Sequence, residues 1–380
     1  QSPIPNPQSP IPNPHIFSIF EFNILNFYKI KYFIFFKFIN MEKLNDIIIS
    51  EYNSHSLLTS CLYIDKYDIM ACGDNQGRLL IFDQRVQKPF VQLILSDNKS
   101  EISNIQYSND NDELFFSCED TIYSCDNITN SYTKKILSKN YIKTDIINEN
   151  EDGEITDFLL LPNNTIVYPE QEQETFLFYS LIEEPKNKDD KDEEDNMLPY
   201  QEIDKFFLSS AYGEEYICSI KQVLLYSFDG EIFLYDYKNK QTSNNIQIKK
   251  YLDNADINSI SNPPYLNKVI LNKDNNEIIC GMMNGTILGL KSTLEKTNMK
   301  EIHNGSINDI KMSKFKIHNY KEIISYGRDK CLKFIDPQNN FNIDYYADMT
   351  CNIIDYDSDI HGNIFYIDDS TKMLYMMKFK

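Results

Sequence analysis

The chain alternates short apolar runs with short polar turns. Residues 69–85 contain an apolar run, a polar turn that ends at Gly77, and a second apolar run that closes on Phe82 and Asp83. Short runs rich in β-branched and aromatic side chains, bounded by Gly, Asn and Asp, are typical of β-strands. A Gly at the turn suits the positive φ angle that a tight hairpin needs. This segment therefore predicts a β-hairpin.

The hairpin pattern occurs seven times, and a further apolar run, such as residues 58–64 or 306–312, precedes the hairpins. The unit is about 45–55 residues long, which is typical of the four-stranded blades of a propeller. The copies occupy residues 69–85, 113–127, 164–179, 223–237, 277–291, 322–336 and 363–378, and their clearest turn positions are Gly77, Thr121, Gly230, Gly285 and Lys330. We therefore predict an all-β fold, a seven-bladed β-propeller.

One predicted strand has no partner within its own repeat. Residues 45–52 precede the first copy, whereas the last copy contains three strands, at 351–357, 363–368 and 373–379, before the chain stops. We predict that residues 45–52 form the outer strand of the last blade and join the two ends of the ring. Such closure removes the exposed sheet edges that invite aggregation.

Two segments lie outside this repeat pattern. Residues 1–14 repeat a Pro-rich heptad, and residues 15–40 are dense in Phe and Ile but carry four charges. Those charges argue against a membrane helix; we expect residues 1–40 to be an extension upstream of the true start at Met41, and membrane association only if they are genuine. Residues 41–380 are then the propeller, with residues 183–196 as an acidic, disordered loop.

Composition narrows the classes of function. The chain has 26 Tyr and 24 Phe but no Trp, and a net charge of −20, which repels nucleic-acid phosphates. Its eight Cys form no C-x-x-C pair, so we predict no metal site and no cofactor, and a reducing cytoplasmic or nuclear location. Motifs for phosphate binding, hydrolase nucleophiles and zinc proteases are absent from the sequence, which argues against an enzyme.

The copies resemble WD40 repeats. In the sixth copy a His-Asn-Gly begins at His303, and Ile335 and Asp336 stand where Trp-Asp is usual; in the first copy His55 and Phe82-Asp83 fill these places. In such repeats a His, a Ser or Thr, an Asp and a Trp form a hydrogen-bonded network within a blade. The resemblance implies this role for His303, Ser325 and Asp329, while Phe334 replaces the Trp, so that the network loses one member. Because Phe lacks the N–H donor of Trp, packing must stabilise more of the blade.

The order of features is similar to that of a WD40 family of substrate receptors in cullin-4 RING ubiquitin ligases. The similarity covers residues 55–85, the second copy, the Asn-Pro-Pro strand pair after the acidic insertion, and the C-terminal hairpin. It implies docking to the damaged-DNA-binding protein 1 adaptor through a Trp-Asp-x-Arg element, matched here by Phe82, Asp83 and Arg85. The second copy lacks this Arg, and Arg85 has a simpler interpretation as a solvated surface residue.

We therefore expect a non-enzymatic protein-interaction scaffold, a monomeric propeller within a complex, with an adaptor of cullin-4 ligases as one partner and no direct nucleic-acid partner. The alternative is a structural subunit of a larger assembly, of the ciliary or ribosome-maturation type. Tyr212 and Tyr265 fall in predicted loops. Because Tyr gives a large contact area at a low entropic cost, both are candidate interface anchors.

Overall fold

Antiparallel pairing of consecutive strands organises the chain into seven sheets. The computed structural model describes residues 42–43, 47–83, 91–94, 100–126, 141–147, 154–163, 165–170, 173–181, 200–217, 219–252, 264–317 and 319–379. Lys43–Lys380 form one compact unit. The predicted extension at residues 1–40 and the predicted acidic loop at 183–196 lie outside the described residues.

Each sheet contains a run of four strands, which we call a blade. From the innermost strand outwards, blades 1 to 3 are Leu58–Ile64, Ile69–Asp74, Arg78–Asp83 and Val91–Ile94; Ile102–Ser108, Glu113–Cys118, Thr121–Asp126 and Tyr141–Ile147; and Leu159–Leu161, Thr165–Glu170, Thr175–Leu181 and Tyr200–Phe207. Blades 4 and 5 are Ala211–Ile217, Gln222–Ser227, Glu231–Asp236 and Gln241–Gln247; and Leu266–Asn272, Glu277–Met282, Thr286–Leu290 and Lys296–Glu301. Blades 6 and 7 are Ile307–Met312, Ile323–Gly327, Cys331–Asp336 and Asn342–Asp348; and Ile353–Ser358, Asn363–Asp368, Met373–Phe379 and Ile47–Asn53. A 3-10 helix, Ile248–Tyr251, follows blade 4, and a two-residue strand, Glu42–Lys43, comes before all of these.

The predicted seven-bladed propeller is confirmed. Each predicted hairpin forms the second and third strands of a blade, and Gly77, Gly230 and Gly285 all have the positive φ that their turns require. The turn of blade 2 differs from the prediction. Thr121 pairs with Cys118 as the first residue of the third strand, so this turn has two residues, and Glu119 takes the positive φ of 53°.

Closure of the ring by the N-terminal strand is also confirmed. Ile47–Asn53 pairs antiparallel with Met373–Phe379 over seven residues. Tyr52 of the N-terminal strand is 3% exposed and packs in the same cluster as Phe82 of blade 1 and Phe365 of blade 7. The last blade thus combines strands from both ends of the propeller sequence, and it has the same four strands as the others.

The hydrophobic core lies between neighbouring blades. One cluster joins blades 4 and 5, another joins blades 6 and 7, and a third joins blades 1 and 2. The largest fully buried side chains are all Tyr and Phe: Tyr168, Tyr226, Tyr326, Tyr356, Phe82, Phe115, Phe116, Phe158, Phe176, Phe178, Phe334 and Phe341. In a chain without Trp, these rings supply the bulk that fills the space between blades.

Six of the innermost strands share a β-bulge directly after their first residue. A bulge adds local twist and turns the extra side chain away from the regular ladder. The extra residues are Thr59, Ser103, Tyr212, Asn267, Asn308 and Ile354. Since the innermost strands of neighbouring blades lie against each other around the axis, these residues surround one mouth of the central channel.

Candidate functional site

The structure brings together the three residues expected to form a network in blade 6. His303 lies in the connection between blades 5 and 6, and its ring is buried. Its Nδ1 is 2.7 Å from Asp329 Oδ1, and its Nε2 is 2.9 Å from Ser325 Oγ. Gly327 makes room for the ring, because a Cβ there would lie 2.5 Å from His303 Cγ.

The protonation states of this network follow from its surroundings. Burial lowers the pKa of His303, and this favours the neutral ring. Burial alone would raise the pKa of Asp329, but the hydrogen bond with His303 and the charge of Lys333 hold it well below its usual value. An ionised Asp329 therefore accepts from Nδ1–H of His303, and the Ser325 hydroxyl donates to Nε2.

Phe334 does not belong to this network. Ser325 pairs across the sheet with Lys333, whereas Phe334 pairs with Ile324. Because successive side chains of a strand point to opposite faces, Phe334 lies on the other face, in the core between blades 6 and 7. The expected place of Phe334 beside His303 is thus wrong.

Lys333 joins the network instead, and sequence reasoning missed it. Its Nζ donates to Asp329 Oδ2 at 2.9 Å and to the Ile302 carbonyl at 2.8 Å, with a side chain only 4% exposed. The sequence did contain a signal for this role: Lys333 interrupts an otherwise apolar strand and follows the turn residue Asp329 by four positions.

Blade 1 does not repeat the blade 6 arrangement. His55 is exposed, and Ser56 Oγ donates to Asp74 Oδ2 at 2.5 Å, while Arg78 Nε pairs with the same carboxylate at 2.6 Å. Asp74 therefore plays the central role in blade 1 that Asp329 plays in blade 6.

The expected adaptor-binding residues are buried where the structure describes them. Phe82 is 1% exposed and Asp83 is 6% exposed. The Phe82 ring packs edge-on against Tyr52 with centroids 6.3 Å apart. Arg85 lies outside the described residues. A partner would contact the Phe82 ring only if the strand Arg78–Asp83 moved.

The propeller has two faces with different connections. Because strands are antiparallel, the start of each innermost strand, the turn between the second and third strands, and the link between blades lie at one end of a blade. We call this end the front face. The loop between the first and second strands lies on the other, back face.

Three aromatic rings from three separate segments meet on the front face. Tyr212 occupies the bulge of blade 4, Phe228 the following turn, and Tyr265 the residue before the innermost strand of blade 5. The predicted loop position of Tyr212 is therefore wrong, because it lies in the strand Ala211–Ile217. Ring centroids are 5.3 Å apart for Tyr212 and Phe228, and 4.7 Å apart for Phe228 and Tyr265. All three side chains are half-buried. We call them the aromatic row.

Hydrogen bonds hold the aromatic row in place. The Tyr212 hydroxyl donates to Asn267 Oδ1 at 3.0 Å, and the Leu266 N–H donates to the Phe228 carbonyl at 3.0 Å. Both bonds join blade 4 to blade 5. The row is therefore fixed to a rigid part of the ring, although its rings stay partly accessible.

Charged side chains on the innermost strands, and Asp157 just before one of them, line the channel beside the aromatic row. Lys268 Nζ is 3.3 Å from Asp157 Oδ2, and Lys311 Nζ is 2.5 Å from Asp355 Oδ1 and 3.8 Å from Asp309 Oδ2. These five side chains are 20–35% exposed. The charges of Lys268 and Asp157 also act on the Tyr212 hydroxyl, whose pKa burial raises. The row and the channel charges thus form one continuous site.

Within the described ranges, no group of three or more His, Cys, Asp or Glu residues is placed to hold a metal ion. In the same part of the chain, no helix is long and apolar enough to cross a membrane.

The fold is similar to solved propellers of the WD40 type. The β-propeller domain of Cps50 (Swd1) from Myceliophteria thermophila is 12% identical with a TM-score of 0.63, over 88% of this chain and 98% of that one. The WD40 β-propeller domain of Doa1 is also 12% identical, with a TM-score of 0.60 and the same coverage. No protein-family profile and no curated protein matches the chain. By its fold, the chain is a seven-bladed β-propeller, similar to these solved domains.

Proposed function

We propose that the protein is a non-enzymatic scaffold that binds other proteins on its front face. The aromatic row carries this proposal, because half-exposed aromatic rings held on a rigid surface are typical anchors of protein interfaces. The row includes Tyr212 and Tyr265, the two candidate interface anchors of the sequence analysis. The fold supports the proposal by presenting the connections of seven blades on one surface.

We expect front-face variants to lose bound proteins. Affinity purification with mass spectrometry would compare the full chain with Tyr265→Ser and with Ile360→Ser. Ile360 is 51% exposed on the back face and serves as the matched control. Partners should fall by about tenfold or more with Tyr265→Ser, since anchor residues carry about 2 kcal/mol or more of binding. Equal recovery with both variants would contradict docking at the aromatic row.

We further propose a more specific role, as a substrate receptor of a cullin-4 RING ubiquitin ligase. It rests on the resemblance of the sequence to WD repeat-containing protein 53 and on Arg85 of the Phe82-Asp83-Gln84-Arg85 element, since Phe82 and Asp83 are buried. The strand Arg78–Asp83 runs from the front face to the back face. An adaptor near its end would leave the aromatic row free for a substrate, which supports the proposal.

Purified damaged-DNA-binding protein 1 tests this role directly. We expect the full chain to bind it, and Arg85→Ala to weaken binding by about tenfold or more, as for an interface arginine. Arg328→Ala, at an exposed arginine in a front-face turn, is the matched control. No binding by the unaltered chain would exclude the ligase role, and unaltered binding by Arg85→Ala would exclude Arg85 as the contact.

We also propose a cytoplasmic or nuclear location. The described cysteines are all free, and six of them are buried: Cys61, Cys72, Cys118, Cys125, Cys280 and Cys331. Burial raises the pKa of thiols such as Cys118, to about 12, which disfavours the reactive thiolate. Unpaired structural cysteines are typical of reducing compartments.

A further inference from the structure

Carboxyl groups outnumber ammonium groups along the described innermost strands near the aromatic row. The ammonium groups are Lys268 and Lys311, and each lies within 4 Å of a carboxylate. The carboxyl groups are Asp157, just before the innermost strand of blade 3, and Glu214, Glu215, Asp309 and Asp355. Asp357, at the back-face end of its strand, is not counted because it pairs with Lys314 at 2.8 Å. The two lysines can neutralise only part of this acidic set. The channel wall is therefore short of positive charge.

Glu214 is the clearest example of a carboxyl group without a positively charged partner. It follows the bulge of blade 4 by two residues, and neither of its carboxylate oxygens has a hydrogen-bond partner, although both are removed from solvent. In the other innermost strands the same position holds an apolar or aromatic residue, such as Ile105, Val269 or Tyr356. An acid at a position built for apolar packing costs stability unless a cation compensates for it.

Burial disfavours the ionised forms of two of these acids. Burial raises the pKa of Asp309 to about 6. Burial, with the charge of Asp157, raises the pKa of Glu214 well above its usual value. A further ammonium or guanidinium group at the channel mouth would favour the ionised form of both.

The aromatic row adds a second feature that suits a cation. Aromatic faces attract Lys and Arg side chains, and Tyr212 lies next to the Lys268–Asp157 pair while its neighbours Phe228 and Tyr265 form the outer part of the row. A cation held between rings and carboxylates gains from both, and a net charge of −20 attracts basic partners at long range.

We propose that the channel mouth on the front face binds one cationic side chain, Lys or Arg, of a partner segment whose neighbouring apolar residue packs on the aromatic row. This inference rests on the proposed scaffold function and names the chemistry of the partner. The cation lies near Asp157 and Asp309, and the apolar neighbour contacts Phe228 and Tyr265.

Labelled nonapeptides test the inference by fluorescence anisotropy with the full chain. They share one flanking Leu and differ at the central residue, which is Lys, Arg, Gln or Glu. We expect the Lys or the Arg peptide to bind at least about tenfold more tightly than the Gln peptide, with the difference shrinking as salt is raised. Tyr265→Ala should weaken all peptides, and Asp309→Asn should reduce the preference for the cation but leave the Gln peptide unchanged. Ile360→Ala is the control.

The outcomes separate this inference from the scaffold function. Equal affinity for the Gln and the cationic peptides overturns the cation site but leaves front-face docking in place. A cation preference that survives both Tyr265→Ala and Asp309→Asn overturns the site as located. No saturable binding of any peptide up to about 1 mM also overturns the proposed cation site. The scaffold function is tested separately, by comparing the partners captured by the Tyr265→Ser and Ile360→Ser variants.

Discussion

Glu322→Gln is expected to stabilise the protein at neutral and alkaline pH. Glu322 lies at the start of the second strand of blade 6, is 0% exposed, and has no hydrogen-bond partner for either carboxylate oxygen. Burial, together with the nearby acids Asp344 and Asp336, raises its pKa from 4.5 to about 8. Gln has nearly the same shape but cannot ionise, so it removes the cost of keeping this carboxyl protonated.

The sign of the pH dependence follows from linkage. A carboxyl whose pKa is raised by folding stays protonated in the folded protein while the unfolded chain ionises. Its unfavourable contribution is therefore absent below about pH 4.5 and grows as the pH rises towards 8. At pH 7 the Gln variant should gain up to about 3 kcal/mol in the free energy of unfolding.

Urea denaturation at pH 5, 7 and 8 measures this effect. The Gln variant and the unaltered protein should differ little at pH 5 and most at pH 8. Glu295→Gln is the matched control, because Glu295 is 67% exposed beside Lys291 and should show no such pH dependence. A gain that is the same at pH 5 and pH 8 would show that ionisation of Glu322 is not its cause.

Asp329→Asn should destabilise the propeller by about 3–5 kcal/mol, the usual cost of removing one partner of a buried ion pair. Asp329 is the acceptor for both His303 and Lys333. Without its charge, the Lys333 ammonium, 4% exposed, would face only neutral acceptors such as the carbonyl of Ile302. Because the pKa of Asp329 is lowered by folding, this stabilisation is present above its ordinary value of 3.8 and is lost as the pH falls below it.

A double variant separates the buried charge from other effects of the substitution. Asp329→Asn combined with Lys333→Met removes both charges, and it should recover most of the loss in urea denaturation at pH 7, since apolar replacements of a buried pair are often tolerated. Asp274→Asn, at an exposed turn, is the control. If the double variant is as unstable as the single one, the unpaired Lys333 is not the source of the loss.

Most of the fold was predictable because its signals are local. The alternation of apolar and polar residues, and the turn Gly residues, identify the hairpins within about 15 residues. The N-terminal strand was predictable by elimination, since the last blade lacked one strand. The exact position of the turn in blade 2 was missed because Glu119 takes a positive φ, which is unusual for Glu and so could not be predicted from the residue type.

The candidate site was less predictable, because its residues come from different blades. Tyr212 and Tyr265 were candidates because both were predicted to lie in loops, although Tyr212 lies in a strand. Phe228 and the contact among the three rings depend on the link between blades 4 and 5. The resemblance to WD40 repeats placed His303, Ser325 and Asp329 together, and it placed Phe334 with them wrongly. Strand register decides that point, and a register is read only in the folded sheet.

The sequence by itself determined the repeat, the strands and the closure of the ring, because each depends on a pattern within one blade or on the number of strands. Tertiary structure alone decided which polar groups are buried and which rings stay exposed. It placed Phe82 in the core, Lys333 beside Asp329, and the aromatic row at the channel mouth. The reason is physical. Packing of consecutive blades brings together residues such as Tyr212 and Asn267, 55 positions apart, and closure of the ring joins Tyr63 to Asp357, 294 positions apart. Burial, which sets both pKa and accessibility, exists only after these contacts form.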